Sequence, residues 1–181
     1  EQVRARIKET APEGASVLPD SLPVLSFGNH LTARVATIGL NPSDQEFLGK
    51  DEWLLGDNRR LHSLKSLGVD SPSELTDEQV NLAHEEMLTY FTRNPLKNWF
   101  NAQNKILKSA LDADYYEGTA CHLDLVQWAT SPKQSDIPAQ TWQQLVDRDR
   151  EFLEWQLSTT SATTLVMISQ GTVSALVAAG I

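Results

Sequence analysis

Three short runs of β-branched and apolar residues, at 34–38, 120–126 and 164–168, each stop abruptly at polar or turn-forming residues. Segments with helical periodicity separate them. Strands that alternate with helices return by crossovers, so they pair in parallel and place helices on both faces of the sheet. The expected architecture is α/β: a three-layer α/β/α sandwich with a short, mostly parallel central sheet. In such sheets ligands bind beyond the C-terminal strand ends. The stretches 39–43, 124–130 and 169–171 fall on that rim.

The intervening helices have their own punctuation. Thr76 with Gln79 forms a capping-box pattern ahead of the stripe Val80, Ala83, Met87 and Phe91, which ends before Pro95. Trp99, Ala102, Ile106 and Ala110 mark a second stripe, and Trp142, Leu145, Val146, Phe152 and Leu153 a third with Thr141 as its cap. Ser43 with Glu46 predicts one more helix directly after the first strand. Residues 1–30, with Pro12, Gly14, Pro19, Pro23 and Gly28, read as an irregular lead-in.

A single domain is expected over residues 1–181, since 40% hydrophobic residues in 181 can enclose a real core. The chain stops at Ile181 inside an apolar run, so its C-terminal end is expected to be incomplete. One cysteine, Cys121, excludes an internal disulfide and a multi-cysteine metal site. His30, His62, His84 and His122 lack ligand spacing, and no phosphate-binding glycine motif occurs, so neither metal nor cofactor is expected. A cytoplasmic monomer without membrane contact is expected. Fifteen Lys plus Arg against 24 Asp plus Glu give a net charge of −9, which does not advertise a nucleic-acid partner.

Gly39-Leu40-Asn41-Pro42-Ser43 after one strand, and Asp124-Leu125-Val126-Gln127-Trp128-Ala129-Thr130 at the end of the next, resemble the first and second strand-end motifs of the uracil-DNA glycosylase superfamily. The likeness is greatest to its thymine/mismatch-specific and single-strand-selective branches. Leu165 to Ile168, with Gly171 behind, is similar to the family's penultimate strand and glycine-bearing turn, so the resemblance spans residues 24–181. Two departures are plain. Asp124 stands where the family usually has a base-reading Asn, and the second catalytic motif, H-P-S-P or a relative, is absent and would lie beyond Ile181.

The resemblance implies a monofunctional DNA glycosylase that hydrolyses the N-glycosidic bond of a flipped-out pyrimidine and leaves an abasic site, in base-excision repair or in defence against modified phage DNA. Asn41 would orient the attacking water; the competing role is an Asx-turn. Asp124 would read the Watson–Crick edge, or else be a buried carboxylate paired with an arginine. Ionised, Asp124 offers only acceptors and favours the exocyclic amine of a cytosine-type base; protonated, it suits cytosine or uracil. Gly39, Leu40, Pro42 and Ser43 would wall the base pocket. Phe47 is a stacking platform or a helix-face core residue, and His122 a support for Asp124 or a core histidine. Trp128 lines the pocket or simply packs.

Arg59, Arg60, His62 and Lys65 form the densest basic cluster and, with Gly171, are expected to contact DNA; the alternative for the cluster is a solvated face. Two other functions compete. One is a non-catalytic nucleic-acid binding module on the same fold, the other a small-molecule nucleoside hydrolase using the same crevice.

Overall fold

The computed structural model describes residues 1–50 and 52–181. Among the described residues six α-helices are present: α1 (Gln2–Ile7), α2 (Leu64–Leu67), α3 (Asp77–Leu88), α4 (Lys97–Leu111), α5 (Ala139–Thr159) and α6 (Gln170–Ala179). β1 (Val35–Gly39), β4 (Ala120–Asp124) and β5 (Thr164–Met167) form the sheet, while β2 (Leu48–Gly49) and β3 (Glu52–Trp53) make a separate antiparallel pair.

The sheet order is β4-β1-β5, and both pairings are parallel, with Gly39 beside Asp124 and Ile38 beside Met167. This is the expected three-layer α/β/α arrangement. Two-residue alternation sorts the strands onto two cores. Val35 and Ala120 join the cluster built from α1, α3 and α4 through Ile7, Val80, Ala83, Met87, Phe100 and Leu107. Ala36, Ile38, Cys121 and Leu123 face the opposite cluster, filled by Leu145, Val146 and Leu153 of α5 and Leu176 of α6. Cover is thinner over β5, where Leu165 and Met167 stay 40% and 38% exposed.

Several local expectations need correction. The lead-in begins with a helix, α1, and residues 21–28 are buried throughout; Phe27 exchanges two 2.9 Å backbone hydrogen bonds with His122 at the free edge of β4. The segment that looked irregular therefore finishes the sheet. After Ser43 there is only a single 3-10 turn, Asp44–Glu46. In α4 the buried residues are Phe100, Asn104 and Leu107, and Trp99 and Ile106 of the expected stripe face outward. Helix α5 starts from Pro138 with no side-chain cap, so Thr141 lies inside it. The capping box at Thr76 and Gln79 is present as read, closing α3 with reciprocal bonds of 3.2 and 2.8 Å. Among the described residues no helix is long and apolar enough to cross a membrane.

Candidate functional site

β1 leads to β4 on one side and β5 pairs on the other, so the crevice above β1 is the point where the strand order reverses. A cavity of about 600 Å³ lies there. Its walls come from 40–46 after β1, from His122 and Asp124 of β4, and from Thr130 and Lys133 beyond it. Ile168, Ser169 and Thr172 follow from β5 and α6, while Leu96, Trp99 and Phe100 of the α4 start and Phe27 complete the rim. The volume lies in the range of small-molecule sites.

Asn41 sits at this wall with its amide nitrogen fixed. Nδ2 donates to the carbonyls of Pro42 (3.0 Å) and Trp128 (3.3 Å) and to Thr130 Oγ1 (3.1 Å). Carbonyl oxygens only accept, so the NH2 must face them and the amide's orientation is decided. Oδ1 is left as an acceptor. The local turn contact to Pro42 is thus present, and it helps fix where the other end of the amide points.

His122 and Asp124 lie on one face of β4, and Nε2 stands 3.3 Å from Asp124 Oδ1. Both are about 97–98% buried, at 2% and 3% exposure. On the far side, His122 Nδ1 is 2.7 Å from Thr37 Oγ1, which is 2.6 Å from the Tyr115 hydroxyl. Thr37 Oγ1 also reaches the Cys121 carbonyl at 3.3 Å, so a chain of polar contacts runs from Tyr115 through Thr37 and His122 to Asp124 at the cavity. Gly39 makes this pair possible. A Cβ there would overlap Asp124 Oδ1 and lie 2.9 Å from His122 Nε2, so only glycine admits both side chains.

Behind Asp124 the turn is held from the N-terminus. Gln127 Nε2 donates to the Asp124 and Leu125 carbonyls, and Gln127 Oε1 accepts from Arg6 at 2.9 Å. Arg6 also pairs with Asp149 of α5, which accepts the Gln127 backbone N–H at 2.7 Å. Burial, opposed mainly by the Arg6 charge, moves the Asp149 carboxyl above its usual range.

Gly39, Leu40, Pro42, Ser43, Asn41, His122 and Asp124 thus converge at or against the cavity. Other expected residues do not. Phe47 is 1% exposed in the core, edge-on to Trp53, and does not line the cavity, because the chain turns into β2 instead of a helix. Trp128 packs in the other core beneath the Arg6 guanidinium. Gly171 falls outside the wall that its neighbours Ser169 and Thr172 supply.

The basic cluster is mostly spent inside the protein. Arg59 grips the buried Glu86 through Nε and Nη2 at 2.9 and 2.7 Å, and Arg93 pairs with the same carboxylate. Arg60 donates to the Gln45 carbonyl. His62 is pushed down to about 4, chiefly by burial, and is neutral at pH 7. Lys65 alone is exposed, lying over the Trp53 ring.

Glu46 is the residue that the sequence pattern concealed. As the third residue after Ser43 it looked like a capping partner, but Ser43 Oγ accepts from Gln45 N–H and the Glu46 side chain turns inward. It is 2% exposed, lines the cavity and accepts from the Tyr90 hydroxyl at 2.6 Å. Tyr90 in turn accepts the Leu96 N–H at 2.8 Å. Burial raises the Glu46 carboxyl to about 8 against the opposing pulls of Tyr90 and Arg60, with Asp124 adding to the rise.

Against this geometry, no family model, curated protein or solved structure matches the chain.

Proposed function

We propose that this chain is a DNA base glycosylase of the uracil-DNA glycosylase type, acting by hydrolysis on a flipped-out pyrimidine. The observation that carries the reading is Asn41: three acceptors hold its NH2, and its carbonyl oxygen remains as a positioned acceptor in a cavity at the strand switch point. Glycosidic cleavage passes through an oxocarbenium-like state, in which positive charge grows on the sugar and negative charge on the base. A water held by Asn41 Oδ1 is oriented toward C1′, although an uncharged amide removes no proton. Asp124, kept in place by His122 and Gly39, accepts from an exocyclic amine, which selects cytosine-type over uracil-type edges.

An abasic-site assay on single- and double-stranded oligonucleotides bearing uracil, mismatched thymine, cytosine and modified cytosines tests this. Excision of one base class is expected, falling about 10²-fold or more in Asn41→Ala. Asp124→Asn is expected to move preference toward uracil. Salt-sensitive binding, with no excision of any base, would return the chain to the role of a binding module.

The occupied basic cluster favours a second reading, hydrolysis of free nucleosides. Arg59 and His62 offer little free charge to a phosphate backbone. Release of free base from nucleosides without DNA, monitored by chromatography, would decide for it.

A further inference from the structure

Two carboxyl groups share the cavity, and only Asp124 has a part in the reading above. Glu46 reaches the same space from the turn after β1, and its surroundings are built rather than incidental. The Leu96 N–H donates to Tyr90 oxygen, so the Tyr90 proton points at Glu46 Oε2. The carboxyl proton therefore belongs on Oε1, which takes no hydrogen bond among the described residues.

We propose that Glu46 is the general acid that protonates the departing base, and that the substrate is a cytosine-type pyrimidine whose poor leaving ability requires it. This rests on the glycosylase reading. A cytosine-type anion is more basic than that of uracil, so its departure gains more from a proton arriving in the transition state. The charged and titratable groups around Glu46 are Asp124 from β4 with His122 behind it, Arg60 from the stretch before α2, Tyr90 from the turn after α3, and Asp44 on its own turn. Burial, with a smaller push from Asp124, outweighs the opposing pulls of Tyr90 and Arg60 and leaves Glu46 neutral at pH 7, with the Tyr90 hydroxyl as a donor ready for the carboxylate that forms.

The step balances. The C1′–N bond breaks with its electron pair passing to the base, and the Glu46 proton moves to base N3 or O2. Water oxygen bonds to C1′, and the surplus proton of that water returns through solvent to the Glu46 carboxylate. The Tyr90 hydrogen bond stabilises the carboxylate in the interval.

Single-turnover excision is measured from pH 5 to 10 for the wild type, Glu46→Gln and Tyr90→Phe, on oligonucleotides bearing cytosine-type bases and 5-fluorouracil. The wild-type rate is expected to fall above about pH 8 as Glu46 loses its proton. Glu46→Gln keeps an acceptor for Tyr90, loses the alkaline limb and slows cytosine-type excision by about 10²–10⁴-fold. 5-Fluorouracil, a better leaving group, slows far less. In Tyr90→Phe the limb moves to higher pH, because the hydrogen bond that lowers the Glu46 value is gone. Active wild type whose rate and limb are unchanged in Glu46→Gln, or whose limb stays fixed in Tyr90→Phe, overturns the role of Glu46 while the glycosylase reading stands. Wild type that excises no base overturns both.

Discussion

At Gly39 a single methyl group decides whether two buried side chains can coexist. Gly39→Ala must displace Asp124 or His122, since the added carbon would meet both side chains and one of them must swing into the cavity. The expected result is a loss of about 1–3 kcal/mol in stability, as for other overpacked interiors, with excision abolished. Denaturant unfolding and the abasic-site assay check the two halves separately. Residues of this kind show what a sequence conveys. Asn41, His122 and Asp124 were readable because strand ends and two-residue alternation fix where they point. Glu46 was hidden because a glutamate three positions after a serine looks the same whether it folds back onto the cap or turns into the protein. Phe47 was misplaced with it, both errors following from one helix that is only a single turn.

Among the elements, the β runs and α3 were legible because their signals are local: β-branched clusters, a capping box, an apolar stripe. Helix α1 was not, having only six residues, held by a single core residue, Ile7, and a buried ion pair from Arg6, too few to give a hydrophobic pattern. Arg6 is 3% exposed and joins α1 to α5 and to the turn behind Asp124. Arg6→Met leaves Asp149 buried without its cation and is expected to cost about 3–5 kcal/mol in urea unfolding. Asp149→Asn in that background should recover part of the loss, because the residual charge is what destabilises. The face of α4 was misjudged for a different reason. Trp99 lies at the cavity, where exposure serves a rim and not a core.

For the molecule as a whole, the net charge of −9 and the internal use of its arginines bear on how it meets a polyanion. Arg59→Ala is expected to lower thermal stability by stripping Glu86 of its bidentate partner, leaving the salt dependence of DNA binding unchanged. Lys133→Ala, at the exposed lip of the cavity, should flatten that dependence by about one phosphate contact. Binding titrations over a salt series, beside melting curves, separate the two. The bond from Arg6 to Gln127 spans 121 positions, and the cavity walls are drawn from residues 27 to 172. Contacts so distant along the chain close slowly, since each must first overcome the entropy of the loop between its ends. On a ribosome, the wall that carries Asn41, Glu46, His122 and Asp124 can close as soon as β4 has emerged and paired with β1, and the last side, from Ile168 to Thr172, is added only when β5 and α6 follow.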